Sequence, residues 1–66
     1  MSCFVLRQGK PQMGDIATDP ERNIDVTLVD QIMTESGDDS YWIAKDPEDK
    51  LIIVNDWNLI DIGYYE

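Results

Sequence analysis

Ser40–Ile62, SYWIAKDPEDKLIIVNDWNLIDI, carries both tryptophans, one tyrosine and the densest run of aliphatic side chains in the chain. Tyr41 and Ile43 alternate with Trp42 and Ala44, the period of two that sends neighbouring side chains to opposite faces of a strand. Asp46-Pro47-Glu48-Asp49 then predicts a hairpin loop, because proline presets its own φ and the acids favour turns. Lys50–Asn55 is almost wholly apolar and reads as a strand covered on both sides or crossing the core. Asn55-Asp56-Trp57-Asn58 predicts a turn or a single 3₁₀ turn, Leu59–Ile62 a last strand, and Gly63–Glu66 a short tail.

Upstream, Ile24–Thr34 is the clearest alternating segment, with Ile24, Val26, Leu28 and Ile32 on one face and Asp25, Thr27, Gln31 and Met33 on the other. Val29 and Asp30 break the alternation, and a bulge there would restore it by swapping the faces. A helix is the weaker reading, because Ile, Val and Thr at this density lose side-chain freedom in one. Residues 3–7 and 14–18 are shorter extended candidates, separated by Gly9 and Pro11. Pro20-Glu21-Arg22, after Thr18 and Asp19, has room for one helical turn. Five or so short strands with turn signals between them mean an all-β sandwich or barrel. At this length a small closed barrel is expected, since closure removes the edges a small sheet cannot protect.

Sixty-six residues make a single domain, residues 1–66, with one small core and no room for a deep cavity. Fourteen acids against five bases give a net charge of −9, a field that repels phosphate backbones and anionic lipid and attracts basic protein surfaces. Direct nucleic-acid binding is therefore not expected. The same charge would also serve plain solubility. Cys3 is the only cysteine, so no intrachain disulfide forms, and a reducing cytoplasm is the expected compartment. The Cys3–Leu6 run is too short for a signal-peptide core, and no stretch approaches the ~20 apolar residues of a membrane-spanning helix.

Tyr41-Trp42-Ile43-Ala44-Lys45, the Asp46–Asp49 loop and Val54-Asn55-Asp56-Trp57 together resemble the closing half of a Src-homology-3-like barrel. In that family an aromatic pair begins a strand, a hairpin follows, and an aliphatic strand ends in a 3₁₀ turn before the last strand. Gly14-Asp15-Ile16 followed by Ile24–Ile32 is similar to the opening strands of such barrels. The resemblance implies a five-stranded SH3-like barrel with one 3₁₀ turn. It departs from the family in its first half, which has no Ala-Leu-Tyr-Asp-Tyr segment, and at Val54, where the 3₁₀ consensus has proline. A polyproline groove needs several stacked aromatic walls, and only Tyr41 and Trp57 are placed to supply them, which argues against a proline-rich ligand.

Tyr41 and Trp57 are the candidate contact residues, because aromatic side chains bring large area and a polar tip to interfaces. A core role is the competing reading in so small a domain; of Trp42 and Trp57, one is expected buried and the other partly exposed. Acids cluster at Asp15/Asp19/Glu21, Glu35/Asp38/Asp39 and Asp46/Glu48/Asp49, all in expected loops. The Asp46–Asp49 loop lacks the length and glycine of a calcium loop, so no metal is expected. No histidine is present, and Cys3 has no imidazole partner, so neither acid–base nor thiol catalysis is expected and no cofactor is implied. The expected function is a non-catalytic protein-binding module or accessory subunit. It would dock on a larger protein with a basic or mixed surface through Tyr41 and Trp57, ringed by Asp38, Asp39, Asp46, Glu48 and Asp49. The alternative is a small acidic inhibitor of the phage type that blocks a nucleic-acid-binding protein by imitating DNA charge.

Overall fold

In a computed structural model, which describes residues 2–66, the chain is all-β. The strands are β1 (Phe4–Leu6), β2 (Ile16–Asp19), β3 (Ile24–Ile32), β4 (Tyr41–Lys45), β5 (Leu51–Asn55) and β6 (Ile60–Tyr65), with a 3₁₀ turn at Asp56–Asn58 between the last two. All pair antiparallel in one sheet of order β1-β6-β2-β3-β4-β5. The expected five-stranded closed barrel is thus a six-stranded open sheet. Among the described residues no ladder joins β1 to β5, so both remain edges.

The alternation in Ile24–Leu28 decides the inner face: Val26 and Leu28 are buried and Asp25 and Thr27 exposed. The register shifts between Leu28 and Asp30, as the broken parity requires, so Leu28 opposes Ala44 but Asp30 opposes Ile43. One consequence departs from the sequence reading. Past the bulge, Ile32 pairs with Tyr41 on the outer face, while Gln31 takes the inner position opposite Trp42. A second shift lies between Ile16 and Thr18 against β6. Bulges bend strands and increase twist. Here they curl the sheet until Ala17, Val26, Leu28, Trp42, Ala44, Val54 and Leu59 form one core, with Ile24, Ile52 and Ile62 against it.

Two more expectations give way. Leu51–Asn55 is covered on one side only: Val54 is buried, but Leu51 and Ile53 are exposed on the outer face. The residues read as a tail belong to β6, which runs to Tyr65 and receives β1 through Phe4↔Tyr65, Val5↔Tyr64 and Leu6↔Gly63. The Pro20–Arg22 segment is a turn, not a helix.

Ion pairs pin the first half. Asp15, 1% exposed, accepts from Arg7 Nε and Nη2 at 2.9 and 2.8 Å and from the Gln12 N–H at 3.0 Å. The guanidinium also stacks 4.4 Å from the centre of the Tyr64 ring. Arg7 holds the Asp15 carboxyl below the ordinary carboxylate range, against the opposing effect of burial. Burial likewise opposes Asp19, but Arg22 and the N–H groups of Glu21 and Arg22 bring it below as well. A depressed folded pKa gives stability that is present above the unfolded value, about pH 4, and lost as pH falls through the folded one. Asp15→Asn is therefore expected to cost about 2 kcal/mol at pH 7. The gap from the parent should narrow in urea titrations as pH falls below about 4. An unchanged gap at low pH would show that the charge of Asp15 is not what stabilises.

Candidate functional site

The β4–β5 hairpin positions every residue expected at the contact surface, and it separates them into two groups. At its open end Tyr41 pairs with Asn55 and with Ile32, and Asp56 N–H donates to the Ser40 carbonyl at 2.9 Å. Trp57, the middle residue of the 3₁₀ turn, is 69% exposed. Tyr41 is half-buried on the outer face. Asp38 and Asp39 precede Ser40 on the same end. At the closed end Asp46 N–H donates to Lys50 O, and the Asp46 Oδ1 accepts from the N–H groups of Glu48 and Lys50 at 2.9 and 2.8 Å. Asp49 sits in left-handed backbone at φ 66°, the position after a type I turn that Asp tolerates. A five-residue strand lies between the ends, roughly 17 Å at ~3.4 Å per residue. Asp38 and Asp39 therefore adjoin the aromatic end, and Asp46, Glu48 and Asp49 do not.

Most of these acids are engaged within their own loops. Asp38 Oδ1 accepts from Ser40 N and Oγ at 3.0 and 2.6 Å, and Asp39 takes the Lys10 ammonium at 2.9 Å. Both carboxyls lie below the ordinary range, Asp38 through Ser40 and Asp39 through Lys10. Asp56 goes the other way. Burial pushes its carboxyl up and the Asp39 and Asp38 carboxylates push it further. The Trp42 indole N–H lies close enough to pull it down without completing a hydrogen bond. The open end is thus a patch of three neighbouring carboxyl groups, one of them pushed above the ordinary carboxylate range, beside an exposed indole.

Asp56 was not singled out from the sequence, because nothing in an isolated Asn-Asp-Trp-Asn run tells that Asp38 and Asp39 fold against it. The outer-face aliphatics Ile43, Leu51 and Ile53 were missed for a related reason. A strand apolar at every position looks alike at the centre and at the edge of a sheet. Among the described residues, no group of three or more His, Cys, Asp or Glu side chains could hold a metal ion, and no helix is long and apolar enough to cross a membrane. Cys3 is exposed and unpaired.

No family model, no curated protein and no solved structure matches the chain.

Proposed function

We propose that this chain is a non-catalytic protein-binding module whose contact surface is the open end of the β4–β5 hairpin. The observation that carries the reading is Trp57. A domain in which seven apolar side chains are buried among the described residues leaves its second tryptophan 69% exposed on a hydrogen-bonded turn. Aromatic anchors of this kind, fixed by backbone and ringed by polar groups, dominate binding energy at interfaces. Asp56, Asp38 and Asp39 beside it select a basic partner surface, and desolvation on docking would strengthen that attraction. The fold reading behind the proposal is a variant of the SH3-like barrel. It is supported by the run of β4, hairpin, β5, 3₁₀ turn and β6, with β1 as an added edge strand. The exposed single thiol of Cys3 suits a reducing cytoplasm.

Capture from the native host's lysate by the parent chain, repeated with Trp57→Ala, tests the reading. Loss of an anchor worth about 2 kcal/mol should weaken binding about thirtyfold in a variant that stays folded. Undiminished capture by folded Trp57→Ala and Tyr41→Ala variants would end it.

A second reading, charge mimicry of DNA, is favoured by the grouping of Asp38, Asp39 and Asp56 within one electrostatic neighbourhood. It predicts binding that weakens steeply with salt and is displaced by duplex DNA, whereas a tryptophan-centred interface loses little to either.

A further inference from the structure

The strand β5 is an edge whose own residues carry none of the usual protection. Leu51–Val54 contains no charge, no proline and no bulge, the devices by which natural sheets discourage edge-to-edge pairing. The opposite edge, β1, is only three residues long and runs into Gly9 and Pro11. The hydrogen-bond phase of β5 is fixed at both of its ends. Asp46 N–H donates to Lys50 O and Asp56 N–H to Ser40 O, so the even-numbered residues bond to β4. By antiparallel alternation, the N–H and C=O groups of Leu51, Ile53 and Asn55 turn to the open edge. The side chains of Leu51 and Ile53 are 63% and 62% exposed on the outer face, next to Ile43.

The edge is not open along its whole length. Asp19 at the end of β2, and Glu21 and Arg22 of the turn after it, face Ile53, Val54 and Asn55 across a groove of ≈ 100 Å³ that narrows the edge toward Asn55, and Arg22 also borders the outer-face patch of Ile43, Leu51 and Ile53. An added strand has room over Lys50–Ile53.

We infer that β5 pairs antiparallel with β5 of a second copy of this chain about a two-fold axis at Ile52, joining two sheets into one. In this register Leu51 of each chain exchanges both backbone bonds with Ile53 of the other. The exposed Leu51 and Ile53 side chains of both copies then cover one another beside Ile43. Two-fold symmetry with the axis normal to the sheet requires that a residue face itself, and the narrowing of the edge toward Asn55 favours Ile52 over Ile53. Charge fits the same register. Lys50 of one copy lies opposite Val54 of the other, whose groove is lined by Asp19, Glu21 and Arg22. Arg22 is paired with Asp19, which leaves Glu21, an exposed carboxylate with no ion-pair partner among the described residues, to meet the ammonium. The short shared edge makes the contact smaller than the usual ~800 Å² per partner, so the dimer is weak and concentration-dependent. With −9 on each chain, it tightens as salt screens the general repulsion.

Sedimentation equilibrium tests this from roughly 10 μM to roughly 1 mM chain, the span over which so small an interface populates. The weight-average mass should rise from 7.6 kDa toward twice that value, and further at about 1 M than at about 0.01 M salt. Amide exchange should slow at Leu51 and Ile53 with concentration. Ile53→Lys, at an exposed position, should stay monomeric with the parent's circular dichroism. Glu21→Lys is the sharper variant: it lowers the net negative charge yet should weaken the dimer at least severalfold, and adding Lys50→Glu should restore it. A monomer at the highest concentration and salt overturns the inference. So does a dimer indifferent to Ile53→Lys, or one that Glu21→Lys strengthens. If the edge amides slow only when the peptide Lys-Val-Lys-Val-Lys-Val is added, the edge accepts a foreign basic strand and the two-fold dimer is again overturned.

Discussion

Trp42→Ala is expected to destabilise the fold by about 3–5 kcal/mol, while Trp57→Ala leaves stability within about 0.5 kcal/mol of the parent. Trp42 is 3% exposed and reaches Val54 of β5 on one side and Gln31 of β3 on the other through its pairings in β4. Deleting a buried indole costs about 3–5 kcal/mol, from lost burial and from the cavity left behind. A chain of this length has only about 3–10 kcal/mol of stability. Trp42→Phe separates the contributions. The indole N–H completes no hydrogen bond among the described residues, so phenylalanine forfeits volume and the pull of that N–H on the Asp56 carboxyl, at a cost of about 1–2 kcal/mol. Urea titrations followed by far-UV circular dichroism measure all three variants. A Trp42→Ala midpoint close to the parent's would mean that Trp42 is not the centre of the core.

Gly63→Ala is expected to cost about 2–3 kcal/mol, an unusual penalty for adding one methyl group. The backbone of Gly63 is ordinary extended chain, so conformational freedom is not the reason. A Cβ there would overlap the Val5 carbonyl oxygen and stand 2.8 Å from Phe4 Cζ. The carbonyl belongs to β1 and cannot rotate aside as a side chain could. Relief therefore requires β1 to leave β6, which gives up the Phe4–Tyr65 edge contact at 5.2 Å and loosens Arg7, whose N–H bonds Ile62 O, from Asp15. The expected signature is early loss of amide protection at Val5 and Arg7 together with a lower urea midpoint. Full protection of those amides in a stable Gly63→Ala variant would show that β1 does not lie against Gly63.

These two positions also mark how far the fold could be read in advance. The alternation that sets Trp42 and Ala44 on one face and Tyr41 and Ile43 on the other was legible, though not which face is buried, and one buried and one exposed tryptophan is what the chain has. The bulge at Val29 was legible because parity fails there. Gly63 was not, because a glycine looks the same whether it ends a strand or makes room for another one crossing it. Closure was not legible either. Whether a sheet closes depends on which strand takes the last free edge, and here β1 takes the edge of β6 that a closed barrel would have given to another strand. At the candidate site, Tyr41, Trp57, Asp38 and Asp39 gather at one end. Asp46, Glu48 and Asp49 are held a strand's length away by the hairpin they close. Loop acids can be counted in a sequence, but their grouping is a property of the ladder between them.

The pairing of β2 with β6 has a kinetic consequence. Ile16 meets Gly63 and Phe4 meets Tyr65, so almost the whole chain intervenes between partners in the first half of the sheet. The β3-β4-β5 meander is local and can assemble from hairpins within microseconds. The β6 and β1 pairings must wait for closure of the longest loops the chain can make, an entropic cost met before any of their contacts form. Folding of this small domain should therefore be slow for its size, in the millisecond-to-second range of non-local β topologies, with the meander as its nucleus.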